Sequence, residues 1–252
     1  MRVTFLGTGT STGVPQIGCR CEVCTSNDPR DKRFRTSVLI EEAHTCMLID
    51  CGPDFRTQIM QNYRDKLDAV LITHEHFDHV GGLDDLRPYC YPDGLAIYAE
   101  QYVIDHIKQR IPYCFAEHPY PGVPQFHMHE ISLSPFSVGP LSIMPIRIMH
   151  YLLPIVGYRI GNMAYITDMK TIPKEEYEKL KGLDVLIINA LGWREHRSHQ
   201  NIPQALAQIA RIAPKEAYLI HMSHNAGLHG ETMQKLPSNV HLAYDNLVIN
   251  VD

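Results

Sequence analysis

Long apolar runs are absent from this chain of 252 residues, and no stretch approaches the roughly 20 residues that a helix needs to cross a bilayer. A basic excess is absent as well. Lys and Arg number 23 against 28 Asp and Glu, so the formal charge of −5 offers no positive face for nucleic acid or an anionic membrane. A small anionic substrate stays open, because bound metal ions can dominate a local field whatever the net charge. No repeat, low-complexity tract or charged tail interrupts the sequence. The opening Met-Arg-Val-Thr-Phe-Leu enters a strand-like run directly, with no secretory pattern before it, and a cytoplasmic location is expected. The cysteines number seven, an odd count, and in a reducing compartment they point to metal ligands or free thiols more than to disulfides.

What remains has the composition of an ordinary globular protein, 44% apolar and 20% charged, and one domain over residues 1–252 is expected. A recurring unit organises it: a short apolar β run that ends in a residue able to bind metal. Thr45–Asp50, Ala69–His74, Ile143–His150, Ala164–Asp168 and Ala217–His221 all follow this form. Such runs suit strands buried on both faces, and polar residues at their ends assemble a site along one sheet edge. Between them, Pro53–Tyr63, Ala99–Ile111, Pro173–Leu180 and Pro203–Ile212 have the spacing of amphipathic helices, three of them with proline near the start. Pro112–Pro140 carries six prolines and is expected to be a loop-rich excursion with room for a short hairpin. The class is α/β, with sheets inside and helices outside.

Thr73-His74-Glu75-His76-Phe77-Asp78-His79 concentrates three imidazoles and a carboxylate. Neutral imidazole and carboxylate are the usual ligands of zinc, manganese or iron. On an extended loop or tight turn, His74 and His76 can face one metal while Asp78 and His79 face a neighbouring position. Gly81-Gly82 then lets the backbone turn sharply.

The pattern H-x-H-x-D-H after an apolar strand resembles the signature of the metallo-β-lactamase superfamily. His150 after a strand, Asp168 in Tyr-Ile-Thr-Asp and His221 in Leu-Ile-His stand at matching positions. That resemblance implies an αββα sandwich with two divalent metals. His74, His76 and His150 would hold the first and Asp78, His79 and His221 the second, with Asp168 bridging them. Asp50 matches the family's early acidic position and is expected to orient the histidine loop from behind the ligands. Two such metals can lower the pKa of a bridging water to about 7 and stabilise displacement at phosphorus. Phosphoesters, thioesters and lactams are all chemically open.

Cys19-Arg20-Cys21-Glu22-Val23-Cys24 is a second cluster. Three thiolates need a fourth ligand to close a tetrahedral zinc, and His224 in His221-Met222-Ser223-His224 is the best placed. Cys46, Cys51, Cys90 and Cys114 show no grouping and are taken as packing residues. The opening Leu6-Gly7-Thr8-Gly9-Thr10-Ser11-Thr12-Gly13-Val14-Pro15, the cysteine cluster and the H-M-S-H pair together resemble the PhnP-like phosphoribosyl 1,2-cyclic phosphate phosphodiesterases. This likeness implies a dimetal phosphodiesterase, with Zn or Mn in the active site and a separate structural Zn. His199 then stands at the family's catalytic histidine, and Asp78 joins it in the catalytic centre. Asn189 stands where that subgroup has an acidic residue, which leaves the substrate open.

The glycine-rich opening lacks the Lys-Ser/Thr ending of a nucleotide loop and is expected to be a tight turn at the site's rim. His127 and His129 share one strand face and are expected to be exposed, as is His196. Arg33 and Arg35 could reach a phosphate or lie solvated. The expected partner is a small phosphate-ester substrate, with no nucleic acid and no membrane; a homodimer is left open. Two alternatives are a nuclease of the tRNA 3′-processing type, which would want a basic face, and a non-catalytic metal-binding module, which would lack ligands.

Overall fold

In the computed structural model, which describes residues 1–251, apolar runs covered on both faces stack as two seven-stranded sheets. The strands are β1 (Arg2–Gly7), β2 (Ser37–Glu42), β3 (Thr45–Ile49), β4 (Ala69–Leu71), β5 (Leu95–Ala99), β6 (Phe126–Glu130), β7 (Phe136–Val138), β8 (Leu141–His150), β9 (Leu153–Ile160), β10 (Met163–Ile166), β11 (Val185–Asn189), β12 (Glu216–Ile220), β13 (Val240–Leu242) and β14 (Val248–Asn250). The first sheet runs β14-β1-β2-β3-β4-β5-β6 and the second β13-β12-β11-β10-β9-β8-β7. Each begins with antiparallel pairs and ends parallel: β3 to β6 in one, β10 to β13 in the other. Parallel strands share one carboxyl-terminal edge, and that edge gathers the site.

The α-helices are α1 (Glu22–Thr25), α2 (Phe55–Gln61), α3 (Phe77–Val80), α4 (Gln101–Arg110), α5 (Ile202–Ile212) and α6 (His229–Met233). Between the sheets Phe5, Ile40, Met47 and Leu71 meet Val156, Tyr158, Tyr165 and Ile187. On the outer face of the first sheet Leu48 and Val70 pack with Phe55 of α2 and Val103 of α4. On that of the second, Ile188 and Leu219 pack with Ile202 and Ile209 of α5. The architecture is the expected αββα sandwich. Helix α5 starts where Asn201 and Gln204 form a reciprocal capping box, and Ile209 in its buried stripe contributes about 1.5–3 kcal/mol. No helix among the described residues is long and apolar enough to cross a membrane.

One expectation is corrected: in place of an amphipathic α-helix over Pro173–Leu180, Lys174–Leu180 is a 3-10 segment, in which the buried Glu176 accepts from the Arg147 N–H at 2.9 Å and the Lys179 ammonium at 2.9 Å. Residues 112–140 are loop-rich as expected and end in a short hairpin: β7 pairs antiparallel with β8 across Gly139-Pro140, while β6 joins the other sheet parallel to β5.

Candidate metal centre

From the end of β4 the chain runs extended through Thr73 and His74 to His76, which caps α3; Asp78 and His79 lie on that helix. His150 ends β8, Asp168 follows β10, and His221 follows β12. Asp50, Asp168 and His221 each sit at a strand end with positive φ, 61°, 55° and 55°. Such backbone costs about 1–3 kcal/mol per residue, persists where surroundings over-determine it, and clusters at functional sites. The loop after Asp50 lies directly on the histidine loop: a Cβ on Gly52 would fall 2.2 Å from the Asp78 carbonyl oxygen, and one on Gly82 2.1 Å from that of Gly52. Only glycine permits that approach.

All seven residues of the expected dimetal set converge. Asp168 is the hub: its Oδ2 lies 3.5 Å from His74 Nε2 and 3.4 Å from His79 Nε2, and its Oδ1 lies 2.8 Å from His221 Nε2. Asp78 Oδ2 lies 3.2 Å from His79 Nε2 and 3.4 Å from His221 Nε2. The His76 ring stands 4.6 Å from His74 and 5.1 Å from His150. His199 stacks near both ends of the cluster, 4.7 Å from His150 and 5.0 Å from His221.

The outer ring nitrogens are held from behind. Asp50 Oδ2 takes the His79 Nδ1–H at 2.7 Å, and its carboxylate also accepts from the Thr73 amide and hydroxyl. The Thr73 oxygen lies 2.9 Å from His74 Nδ1, and the Ser198 carbonyl 3.0 Å from His150 Nδ1. These contacts aim Nε2 of each ring into the cluster, where His74 Nε2 and His79 Nε2 are buried with no hydrogen-bond partner. Buried nitrogens left so are expensive unless something else binds them.

Electrostatics divide the cluster. Burial lowers the His74, His76 and His150 imidazoles and so favours neutral rings. Burial would raise the Asp78 and Asp168 carboxyls, but the imidazoles of His79 and His221 hold both below the usual carboxylate range. Against burial, those carboxylates push His221 up to about 9 and His79 well above its ordinary value. Ionised carboxylates among inward-facing imidazoles are a donor set suited to divalent cations. Burial pushes His199 down to about 3, so its imidazole is neutral near pH 7.

The second cluster also forms. His224 Nδ1 lies 3.2 Å from Cys19 Sγ, 3.6 Å from Cys21 Sγ and 3.4 Å from Cys24 Sγ. Zinc bonds of 2.3 Å to sulfur and 2.0–2.1 Å to nitrogen give a tetrahedral edge of about 3.5 Å, so the four side chains fit that ion. The glycine-rich opening pairs with Met222, between the two clusters, through Met222 N to Thr8 O and Thr10 N to Met222 O, both 3.0 Å.

Several residues act otherwise than their sequence context suggests. Arg33 is buried and bonds the Thr8 hydroxyl and the Ala243 carbonyl, while Arg35 is tied to Asp54 and the Ser11 carbonyl. Neither is free for a phosphate in the way Arg33 and Arg35 could have been. Asn189 is fully buried and clamps the peptide after Asp168: it accepts from Met169 N at 2.8 Å and donates to Met169 O at 3.1 Å. An ionised carboxylate could not make both bonds. His127 and His129 lie on the exposed face of β6 as expected. His196 is exposed, yet its ring lies 5.1 Å from that of His199. Lys170 was not singled out from sequence. Its ammonium donates to the His196 and His199 carbonyls at 2.7 and 3.2 Å and to Gln204 Oε1 at 3.2 Å, stapling the catalytic-candidate loop. A lysine two residues after Asp168 was the only signal.

Residues 45–222 match the β-lactamase superfamily domain, which covers more than half of the chain. A crystal structure of a diphosphatase from the PhnP family superposes with a TM-score of 0.94 at 36% identity, over 100% of this chain and 98% of that one. Zinc-bound PqqB from Methylobacterium extorquens shares the fold, with a TM-score of 0.80 at 20% identity over 100% of both chains. An octanoyltransferase of Porphyromonas gingivalis is 53% identical over 255 residues, covering 100% of this chain and 52% of that protein. The chain thus spans about half the length of the curated relatives it matches, 52% and 42% for two of them. Sandwich, converging ligands and family match agree: the chain belongs to the metallo-β-lactamase superfamily and is a PhnP-like member of it.

Proposed function

We propose that this chain is a metal-dependent phosphoric diester hydrolase acting on a small phosphate ester, with a cyclic ribose phosphate such as phosphoribosyl 1,2-cyclic phosphate as the first candidate. One observation carries the proposal: His74 Nε2 and His79 Nε2 are buried without a hydrogen bond yet lie 3.2–3.5 Å from the Asp78 and Asp168 carboxylates, while their other nitrogens are fixed from behind. His74, His76 and His150 would hold one ion, Asp78, His79 and His221 the other, and Asp168 both. Zinc, manganese and iron all suit these ligands. When bound, a pair of divalent ions supplies Lewis-acid activation of water and neutralises phosphoryl charge. The protein supplies the rest. Asp50, Thr73 and the Ser198 carbonyl keep the rings in their orientation. His199, beside the cluster, would give a proton to the departing oxygen, a role typically worth about 10²–10⁴ in rate; burial holds its imidazole neutral, and the negative charge of a bound phosphate ester would favour its protonated form. Cys19, Cys21, Cys24 and His224 would hold a structural zinc away from the reaction. The likeness to a PhnP-family diphosphatase supports phosphorus as the reacting centre.

A second reading, hydrolysis of an acyl ester or thioester, takes its support from the name of an octanoyltransferase of which this chain matches 52%. Metal analysis of the purified protein, with turnover of cyclic phosphates, open phosphodiesters, single-stranded RNA and an octanoyl thioester, separates the readings. Asp168→Ala should release at least one active-site metal and abolish turnover. A variant that keeps both ions and a near-normal rate would sink the ligand assignment.

A further inference from the structure

Two ligand histidines are each followed by an aromatic ring that the core does not use. Phe77 follows His76 and is 57% exposed; Tyr151 follows His150 and is 41% exposed. Each ring has a guanidinium over it, Arg110 at 5.6 Å from Phe77 and Arg197 at 4.5 Å from Tyr151. The His76 and His150 rings stand 5.1 Å apart, so each aromatic–guanidinium pair is attached, one residue along the chain, to a histidine of the same cluster, and Arg110 is tied there through the Glu75 carbonyl.

Tyr151 is in an unusual position to be a tyrosine. It opens the two-residue loop between β8 and β9, with φ 58°, and glycine is the residue that such a position ordinarily takes. Hairpin geometry alone does not call for an aromatic there, and strain of this kind gathers at ligand clamps. Arg197, one residue before Ser198, donates to the Tyr151 hydroxyl, so the ring is held over the His199 loop. One bond to that hydroxyl leaves the remaining guanidinium N–H donors open to an anion.

We propose that Phe77–Arg110 and Tyr151–Arg197 form a recognition rim for a phosphate ester that carries a flat heteroaromatic group, as a nucleotide does. The rings give a stacking face that accepts any base, and the guanidinium groups offset the charge of an anion in a chain of net charge −5. This rests on the hydrolase reading of the centre, and it narrows the substrate beyond a bare sugar phosphate.

Calorimetric binding to the metal-loaded protein tests it without relying on turnover. Thymidine 5′-monophosphate and ribose 5-phosphate carry the same phosphate, and only the first has a base. Stacking of this type predicts about ten-fold tighter binding of the thymidine compound. Phe77→Ala and Tyr151→Leu should each erode that ratio, and Phe77→Trp should keep it. Equal affinity for the two compounds, or a ratio untouched by both truncations, would overturn the rim. Turnover of cyclic phosphates and open phosphodiesters, with thymidine 5′-(4-nitrophenyl phosphate) added, judges the hydrolase reading separately: a base preference in binding with turnover of none of them upholds the rim and refutes that reading.

Discussion

Replacing Asn189 with aspartate exchanges one amide nitrogen for an oxygen and leaves the side-chain shape unchanged. The consequence follows from its two bonds to Met169, one accepted at 2.8 Å and one donated at 3.1 Å. A carboxylate keeps the first and turns the second into two acceptors facing each other. Only the protonated carboxyl can donate to the Met169 carbonyl, and burial favours that neutral form as well. The folded-state pKa of the new carboxyl therefore lies above its unfolded value of about 3.9. With that sign, the variant should match the native protein best below about pH 4 and lose stability as pH rises towards the folded pKa. The slope is about 1.4 kcal/mol per pH unit, which reaches about 4 kcal/mol by pH 7 if the carboxyl is still protonated in the folded protein there. Urea unfolding of native, Asn189→Asp and Asn189→Leu protein across this range measures it. The leucine variant loses both bonds without a titrating group, so its deficit should not vary with pH. A stability gap between aspartate and asparagine that is flat with pH would refute the reasoning.

A mild chelator should remove activity before it unfolds the protein, because the four closed ligands Cys19, Cys21, Cys24 and His224 would hold a structural zinc more tightly than the open site holds its ions; ready alkylation of Cys19 and Cys24 in the untreated native protein would refute that zinc. His199→Ala should leave the metals bound and lower kcat far more than it changes KM, with a smaller loss for a nitrophenolate leaving group; unchanged activity would remove His199 from the reaction. Lys170→Met should lower kcat about ten-fold or more at unchanged metal content, and Lys170→Arg should recover part of it. A native rate in Lys170→Met would mean that the His199 loop is held without this staple.

The candidate ligands were legible in sequence because each stands at the end of an apolar run, or within one turn of its neighbours. His74, His76, Asp78 and His79 need only local geometry to converge, and Asp50 is recognisable as the carboxylate behind them. What stayed hidden is contact between segments whose adjacency is decided by sheet order. Asn189 meets Met169 because β11 lies beside β10, and the Ser198 carbonyl meets His150 across 48 residues of chain. Nothing in the residues around Arg33 says that its guanidinium is buried against Thr8 and Ala243. The inward turn of Glu176, in the segment expected as the helix Pro173–Leu180, is hidden for a similar reason: its partner is the Arg147 amide in β8.

The ligands are also unevenly distributed along the chain. His74, His76, Asp78 and His79 belong to the first sheet's half, while His150, Asp168 and His221 belong to the second's. An ion bound among them is therefore a rivet through the seam of the sandwich, since the two sheets cannot separate without breaking its coordination. Synthesis gives this a temporal side. His221 and His224 emerge late and complete both clusters within four residues, so neither can close on a nascent chain until the second sheet is almost whole.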